Sequence, residues 1–529
     1  MFAGSAERVV RGAGRESVDQ ARRSTHRLEE PDTLNPVVGG GLAIDSDLAM
    51  LWGGFFFNYD DRNRYVPELA LEVPTLGNGG IARDGLTITY RLRPGVAWQD
   101  GAPFDARDVV FTWRAIVNPK NNVPSTAGYD LIRTIDVPDP HTVRVHLKRP
   151  WSPFVATFFN QSQQPYPVLP AHLLAKYPDL NRVPFNALPV GTGPFRVRRW
   201  ERGSSIAFEA NPHYWRGRPK LDRIEYQPVP NENTIVTLLR AHEVDLEFKG
   251  AKSYYEQLKS IPGTRAVLTD FNEYSMLAIN TRSPLLNDVR VRKALWYALD
   301  VPGLLQRVSH GVDIAGYTDQ PATSWAYNPD IVHYAYDPAK AMRLLAEAGW
   351  LPGTDGVRVK GGRPLAVTIA GVAGGATGAA VAVQLQAYWK RVGVAAQVKT
   401  YPSSLLFASY GAGGILRTGK YDVSLQSSVG GTDPDDASQW TCDQIPPRGD
   451  NFFFFCDQGL DAAERVATTT YDEAARKRAY AQVQAILADR VPMIPMWYSR
   501  RISVQNTDLR NFRPAHAVTS FWNPWEWQI

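Results

Sequence analysis

A mixed α/β fold is predicted for this 529-residue chain by three features. Short segments alternate apolar and polar residues strictly, several amphipathic stretches carry their own helix caps, and 44% hydrophobic against 21% charged residues suffices for a large core. At ~100 to 200 residues per domain, the length allows two to four domains.

The first 27 residues hold six Arg against three acids and no apolar run, so they are not a secretory signal, and nothing hydrophobic follows the twin Arg22-Arg23. A removed leader, a misplaced start and retention inside the cell all stay open. LTITYRLR (86–93) sets Leu86, Ile88, Tyr90 and Leu92 on one face, which predicts a half-buried strand. In DARDVVFTWRAIV, Asp105 caps a helix and Asp108 completes a carboxylate capping box, with Asn118-Pro119 as the stop. TVRVHLK (142–148) is another strand, on which His141 and His146 face opposite ways and make a poor metal pair. RIEYQPV (223–229) predicts a strand and ENTIVTLLRAHEV (232–244) a helix. Asp288 caps DVRVRKALWYALD, with Val291, Ala294, Leu295 and Ala298 in one stripe. Asp337 and Pro338 open the next helix, which Gly349 ends. Strands and crossover helices fill 365–401, and DEAARKRAYAQVQAILADR (472–490) is one more helix.

The net charge of +5 is thin and scattered, which argues against nucleic acid, and no run approaches the ~18 apolar residues of a membrane span. The nine histidines form no HExxH, HxH or HxxxH pair, and no GxSxG elbow occurs. GILRTGKY (414–421) misses a phosphate loop at Tyr421 and leads into a strand rather than a helix. The Gly-rich run GVAGGATGAA (371–380) lies between a strand and a helix; its amides suit an anion, or it is a mobile loop.

Two stretches carry more. Cys442 and Cys456, fourteen residues apart, suit a loop-closing disulfide in an oxidising compartment, or two free thiols inside the cell. SSVGGTDPDD (427–436) follows the strand-like YDVSLQ and reads as a turn, a substrate clamp, or a divalent-cation site using Asp433 and Asp435.

Five stretches in order, YRLRPGVAWQDGAPFDARDVVFTWRAIVNP (90–119), VGTGPFRVRRW (190–200), NENTIVTLLRAHEVDL (231–246), NTRSPLLNDVRVRKALWYALD (280–300) and YDPAKAMRLLAEAGW (336–350), resemble one family. It is the dipeptide/oligopeptide/nickel-binding family 5 of extracytoplasmic solute-binding proteins, and the resemblance covers roughly residues 30–529. It implies a two-lobed periplasmic-binding-protein fold with a subsidiary domain, hinge closure on ligand, and no catalysis. By analogy, lobe I combines 28–50, 185–263 and 493–529; the subsidiary domain spans 51–184; lobe III runs 264–492; and 1–27 is an unassigned extension.

The resemblance implies an extracytoplasmic receptor, monomeric and without cofactor or resident metal, that delivers a ligand to an ABC permease. Peptides lead; opines, oligosaccharides and metal chelates are alternatives. In peptide-binding relatives an aspartate before an acidic-Pro pair meets the ligand amine. Here Gly430 takes that place if Asp433-Pro434 is the pair, whereas a shifted alignment gives the role to Asp433. The expected cleft residues are Ser427, Ser428, Gly430, Gly431 and Asp433, backbone groups of Gly39, Gly40 and Gly41, and walls of Trp325 and Trp440. The rival from another class is a metal-dependent glycosyl transferase using Asp433 and Asp435.

Overall fold

The computed structural model describes residues 21–26 (backbone only), 30–160, 164–517 and 519–529. One eleven-stranded mixed sheet runs through it. Its order is Ala395–Tyr401, Ala366–Val372, Val423–Val429, Thr264–Ile279, Met493–Asn506, Leu246–Gly250, Ala21–His26, Arg223–Pro228, Ser205–Ala210 and Phe195–Glu201, with the short Ile314–Ala315 also paired to Met493–Asn506. Ala21–His26 falls within the stretch 1–27 that the sequence reading leaves unassigned. It is a sheet strand, parallel to both Arg223–Pro228 and Leu246–Gly250. Residues 1–20 and 27 lie outside the described residues.

Two strands are far longer than the rest, Thr264–Ile279 with 16 residues and Met493–Asn506 with 14. They pair antiparallel from Thr264–Asn506 to Ala278–Met493, and the register breaks between Asp270 and Tyr274. On one side of the break the sheet continues into the Leu246–Gly250 half, on the other into the Val423–Val429 half. A bulged strand pair bends and twists locally, so the two parts of the sheet meet at an angle set by this break. The buried apolar residues divide accordingly. One cluster draws on Leu34 to Phe248 together with Leu509 to Trp527, and a second on Leu277 to Trp497.

Local signals place the helices. Asp105 caps Ala106–Val117 and Asp108 returns the bond, forming the full capping box. Asp288, Asp337 and Asp472 each accept a backbone N–H at the start of Val289–Tyr297, Pro338–Glu347 and Glu473–Arg490. Gly349 closes its helix at φ 85°, a conformation that favours glycine. Thr87–Arg91, Thr142–Leu147 and Ile132–Asp139 form a separate antiparallel sheet, with Ile88, Tyr90, Val143, Val145 and Leu147 turned into the core as their alternation requires. The helix expected over 232–244 stops earlier, as Glu232–Arg240, and His242 follows in the left-handed region.

The segment around the small sheet meets the far half directly. Ser152 donates its N–H to Thr468 O (2.8 Å) and its hydroxyl to Ala467 O (3.1 Å). The Tyr471 hydroxyl reaches back to Gly85 O and Trp151 O, both at 3.2 Å. Asn63 Nδ2 donates to Thr323 O at 2.9 Å.

Candidate functional site

Between these surfaces lies a cavity of about 1020 Å³. One wall comes from Ser125, Ala127, Tyr129, Asp130, Leu131, Arg149, Trp151, Gln164 and Tyr166; the other from Gly431, Thr432, Asp433, Asp435 and the face of the helix Gln458–Thr469 that carries Asp461, Glu464, Arg465 and Thr468. The loop SSVGGTDPDD (427–436) is therefore at the cavity, but its parts do different things there.

At its start, Ser427 shares a hydroxyl contact of 2.8 Å with Ser275 across the strands, and the Ser428 hydroxyl accepts from Gln439 Nε2 at 3.1 Å. The Gly430 N–H donates to Asn272 O at 2.7 Å, and Asn272 Nδ2 donates to Gly431 O at 3.1 Å. Asn272 sits in the register break of the long strand and also accepts from the Thr323 hydroxyl. Two backbone groups expected to serve a ligand are thus satisfied within the chain. Gly430 does not owe its place to strain: its φ is not left-handed, and a Cβ there would meet only Asn272 O, at 3.5 Å.

Asp433 is engaged as well. Arg476 Nη1 and Nη2 donate to its two carboxylate oxygens at 2.8 and 2.6 Å, with both side chains largely buried. The same guanidinium donates through Nε to Ala467 O at 2.7 Å and lies over the Trp325 ring at 5.0 Å. Trp325 in turn packs edge-on against Tyr480 at 5.9 Å. Asp433 is the centre of a strut between the loop and the helix Glu473–Arg490, and Trp325 is part of that strut.

Trp440, expected as a cleft wall, is corrected. It is fully buried, stacked on Phe453 at 4.4 Å, with its indole N–H donated to Asp436 Oδ2 at 3.1 Å. Of the N-terminal glycines, Gly39 and Gly40 do not reach the cavity. The Gly40 N–H is taken by Asp32 Oδ2 at 3.0 Å, and Gly39 lines a separate groove of about 400 Å³ with Asn122, Arg182 and Arg202. Gly41 alone approaches the cavity, next to Pro124 and Gln164. Cys442 and Cys456 are joined as a disulfide, closing the loop that follows.

Sequence reasoning missed two contributors. The first is the wall of Tyr129, Trp151 and Tyr166. The second is the polar face of Gln458–Thr469, whose Asp461, Glu464, Arg465 and Thr468 are spaced i, i+3, i+4, i+7; that spacing was available in the sequence. Burial and the adjacent Asp433 carboxylate push Asp435 up to about 6, against hydrogen bonds from the Ala437 N–H and the Trp151 side chain. Burial also raises Asp436 and Glu464 well above the usual carboxylate range.

Two halves joined by a pair of long strands, with a cavity between their facing surfaces, define a cleft-type binding protein. The family model for bacterial extracellular solute-binding proteins, family 5, matches residues 64–445, and the chain belongs to that family. It is 25% identical over 508 residues to the oligopeptide-binding protein AppA of Bacillus subtilis, covering 95% of this chain and 90% of AppA. To the dipeptide-binding protein of Escherichia coli it is 26% identical over 441 residues, 79% of each. The crystal structure of NikZ from Campylobacter jejuni in complex with Ni(L-His) superposes with a TM-score of 0.78 at 26% identity, covering 96% of this chain and 99% of NikZ. These three are binding proteins, for peptides in two cases and a nickel chelate in the third.

Proposed function

We propose that this protein is an extracytoplasmic receptor that captures a ligand between its lobes and delivers it to an ABC importer, with short peptides as the leading ligand class. The observation that carries the reading is the cavity of about 1020 Å³ between the surface of Ser125, Tyr129, Trp151 and Tyr166 and that of Asp433, Asp435 and the helix Gln458–Thr469. That volume stands at the upper end of the ~300 to 1,000 Å³ usual for small-molecule clefts, so a short peptide or a molecule of similar bulk fits. The peptide-binding relatives support peptides, and the Cys442–Cys456 disulfide supports an oxidising compartment. Among the described residues no helix is long and apolar enough to cross a membrane.

The receptor performs no chemistry on this reading. A transferase would need Asp433 and Asp435 to hold one cation together. Here Asp433 gives both oxygens to Arg476, while Asp435 accepts from the Ala437 N–H and the Trp151 side chain. Native mass spectrometry of the purified protein tests the proposal. A co-purified peptide, or a ladder of peptides of fixed length, supports it; a single opine- or sugar-like mass keeps the receptor and removes peptides. A ligand at 100 times its Kd adds about 2.7 kcal/mol, which a thermal-shift panel across the four ligand classes detects.

A further inference from the structure

A second hollow, of about 410 Å³, lies at the far end of the strand Val423–Val429 from the loop SSVGGTDPDD. That strand pairs with Thr264–Ile279 from Val423–Ile279 at the hollow to Val429–Glu273 at the loop. Six residue steps of ~3.4 Å separate those ends by about 20 Å, so the hollow is no part of the cavity lined by Trp151 and Asp435. Arg282, Lys399 and Lys420, all exposed, line it against the one carboxylate of Asp422. Among the described residues none of the three cations forms an ion pair, although the neighbouring Arg417 finds Asp450.

Buried polar groups beneath the cations set the shape of the hollow. Asn280, only 5% exposed, donates through Nδ2 to Gly419 O at 3.0 Å and Tyr421 O at 2.9 Å, and its Oδ1 accepts the Arg282 N–H at 3.1 Å. One side chain thus fixes the backbone that carries Arg282 and the backbone that carries Lys420. Lys399 comes from the strand Ala395–Tyr401, whose register sets it beside Ala370. Asp422 faces the chain: its Oδ1 accepts from the Ser283 hydroxyl at 2.5 Å and its Oδ2 from the Thr368 N–H at 2.8 Å. Both oxygens are therefore met by neutral donors, and the cations are left in excess. Arg282 is also seated over the Phe454 ring at 4.9 Å, which orients its guanidinium.

We infer that this hollow binds a phosphate group, free or borne by an anionic lipid, at a site separate from the cleft. Three cations against one carboxylate leave two positive charges over, which a phosphate monoanion or dianion answers. The planar guanidinium of Arg282 offers parallel N–H donors to two oxygens, and the ammonium groups of Lys399 and Lys420 meet the others as point charges. The stretch GILRTGKY supplies Thr418, Gly419, Lys420 and Tyr421 to the hollow but continues into the strand Val423–Val429. Side chains rather than the amides of a helix start therefore hold the anion, which sets this site apart from a nucleotide-binding loop. Because the cations are exposed, salt screens them, and binding weakens as ionic strength rises.

This site is independent of the receptor reading above, and either can fail alone. The full chain at pH 7 and low salt is titrated calorimetrically with inorganic phosphate, and its co-sedimentation with phosphatidylcholine vesicles is compared with that of vesicles containing phosphatidylglycerol. Wild type is expected to bind phosphate with a Kd of about 1 mM or below, or to sediment with the phosphatidylglycerol vesicles alone. Lys399→Ala/Lys420→Ala is expected to weaken whichever binding is seen by about tenfold or more, and Arg282→Gln by about fivefold. The substituted side chains are exposed, so these variants keep the wild-type Tm without phosphate. Lys477→Ala/Arg478→Ala removes the same charge from exposed positions of the helix Glu473–Arg490 and is expected to change binding by less than about twofold. Phosphate binding with this pattern identifies a free oxyanion as the ligand; the pattern on phosphatidylglycerol vesicles alone identifies a lipid headgroup. Binding of neither probe overturns the inference, as does binding that the variants at 282, 399 and 420 leave unchanged or that the variant at 477 and 478 weakens equally.

Discussion

Replacing Arg476 by Met keeps much of the aliphatic bulk and removes the guanidinium. Asp433, only 12% exposed as a side chain, is then left without its two charge-assisted hydrogen bonds, and Ala467 O loses its donor. Breaking one member of a buried pair costs about 3 to 5 kcal/mol, because the remaining charge stays desolvated. Removing both partners is milder, so Asp433→Asn/Arg476→Met is expected to recover about 2 to 3 kcal/mol relative to the sum of the single changes. Urea unfolding followed by tryptophan fluorescence measures all three variants, with Trp325 packed against the guanidinium as a local reporter. If Arg476→Met costs under about 1 kcal/mol, the strut is not structural. If Asp433→Asn leaves stability untouched yet abolishes ligand binding, Asp433 is the amine anchor and the assignment made here is wrong.

Gly430→Asp is expected to fold with a stability change within about 0.5 kcal/mol, since its Cβ meets only Asn272 O at 3.5 Å. If position 430 faces the ligand, the new carboxylate raises affinity for a free-amine tripeptide by about tenfold or more, read by titration calorimetry; no gain removes that position from the site. Opening the Cys442–Cys456 disulfide with paired serines should lower stability by about 3 kcal/mol, and reductant should do the same to wild type but nothing to the variant. The pH dependence follows from the raised carboxyls. Burial pushes Asp435 up to about 6 and raises Asp436 and Glu464 above the usual carboxylate range, so as pH rises from about 4 the folded chain keeps protons that the unfolded one has lost. The contribution of these groups to stability is therefore greatest on the acid side and falls as pH rises through about 6. Glu464→Gln should flatten that fall and raise Tm at pH 8; a steeper fall contradicts the assignment.

What the sequence made legible was local. Asp105 and Asp108 are three residues apart and act within one turn, and Asp337-Pro338 and Asp472 likewise signal helix starts that need no tertiary partner. What it hid was distant or ambiguous in type. Thr264 pairs with Asn506 across more than two hundred residues, and Arg476 finds Asp433 from 43 positions away, neither marked by any spacing. Trp440 shows the second limit: an aromatic beside a cleft loop has the composition of a wall and of a core, and only its stacking on Phe453 decides. The strand Ala21–His26 has no pattern of its own because its partners on both sides supply the pairing.

The loop SSVGGTDPDD also shows why a binding site cannot be read by counting its polar letters. Its glycine amide and carbonyl are tied by Asn272 to the strand where the register breaks, so the loop's position is set by the joint between the two halves. A group fixed in this way cannot also be given to a ligand without loosening that joint. Asp433 is withdrawn for the same reason, by Arg476. The carboxyls left over lie at the loop's exit, Asp435 and Asp436, and they acquire a meaning only beside Glu464 on a helix that the loop's own sequence does not predict.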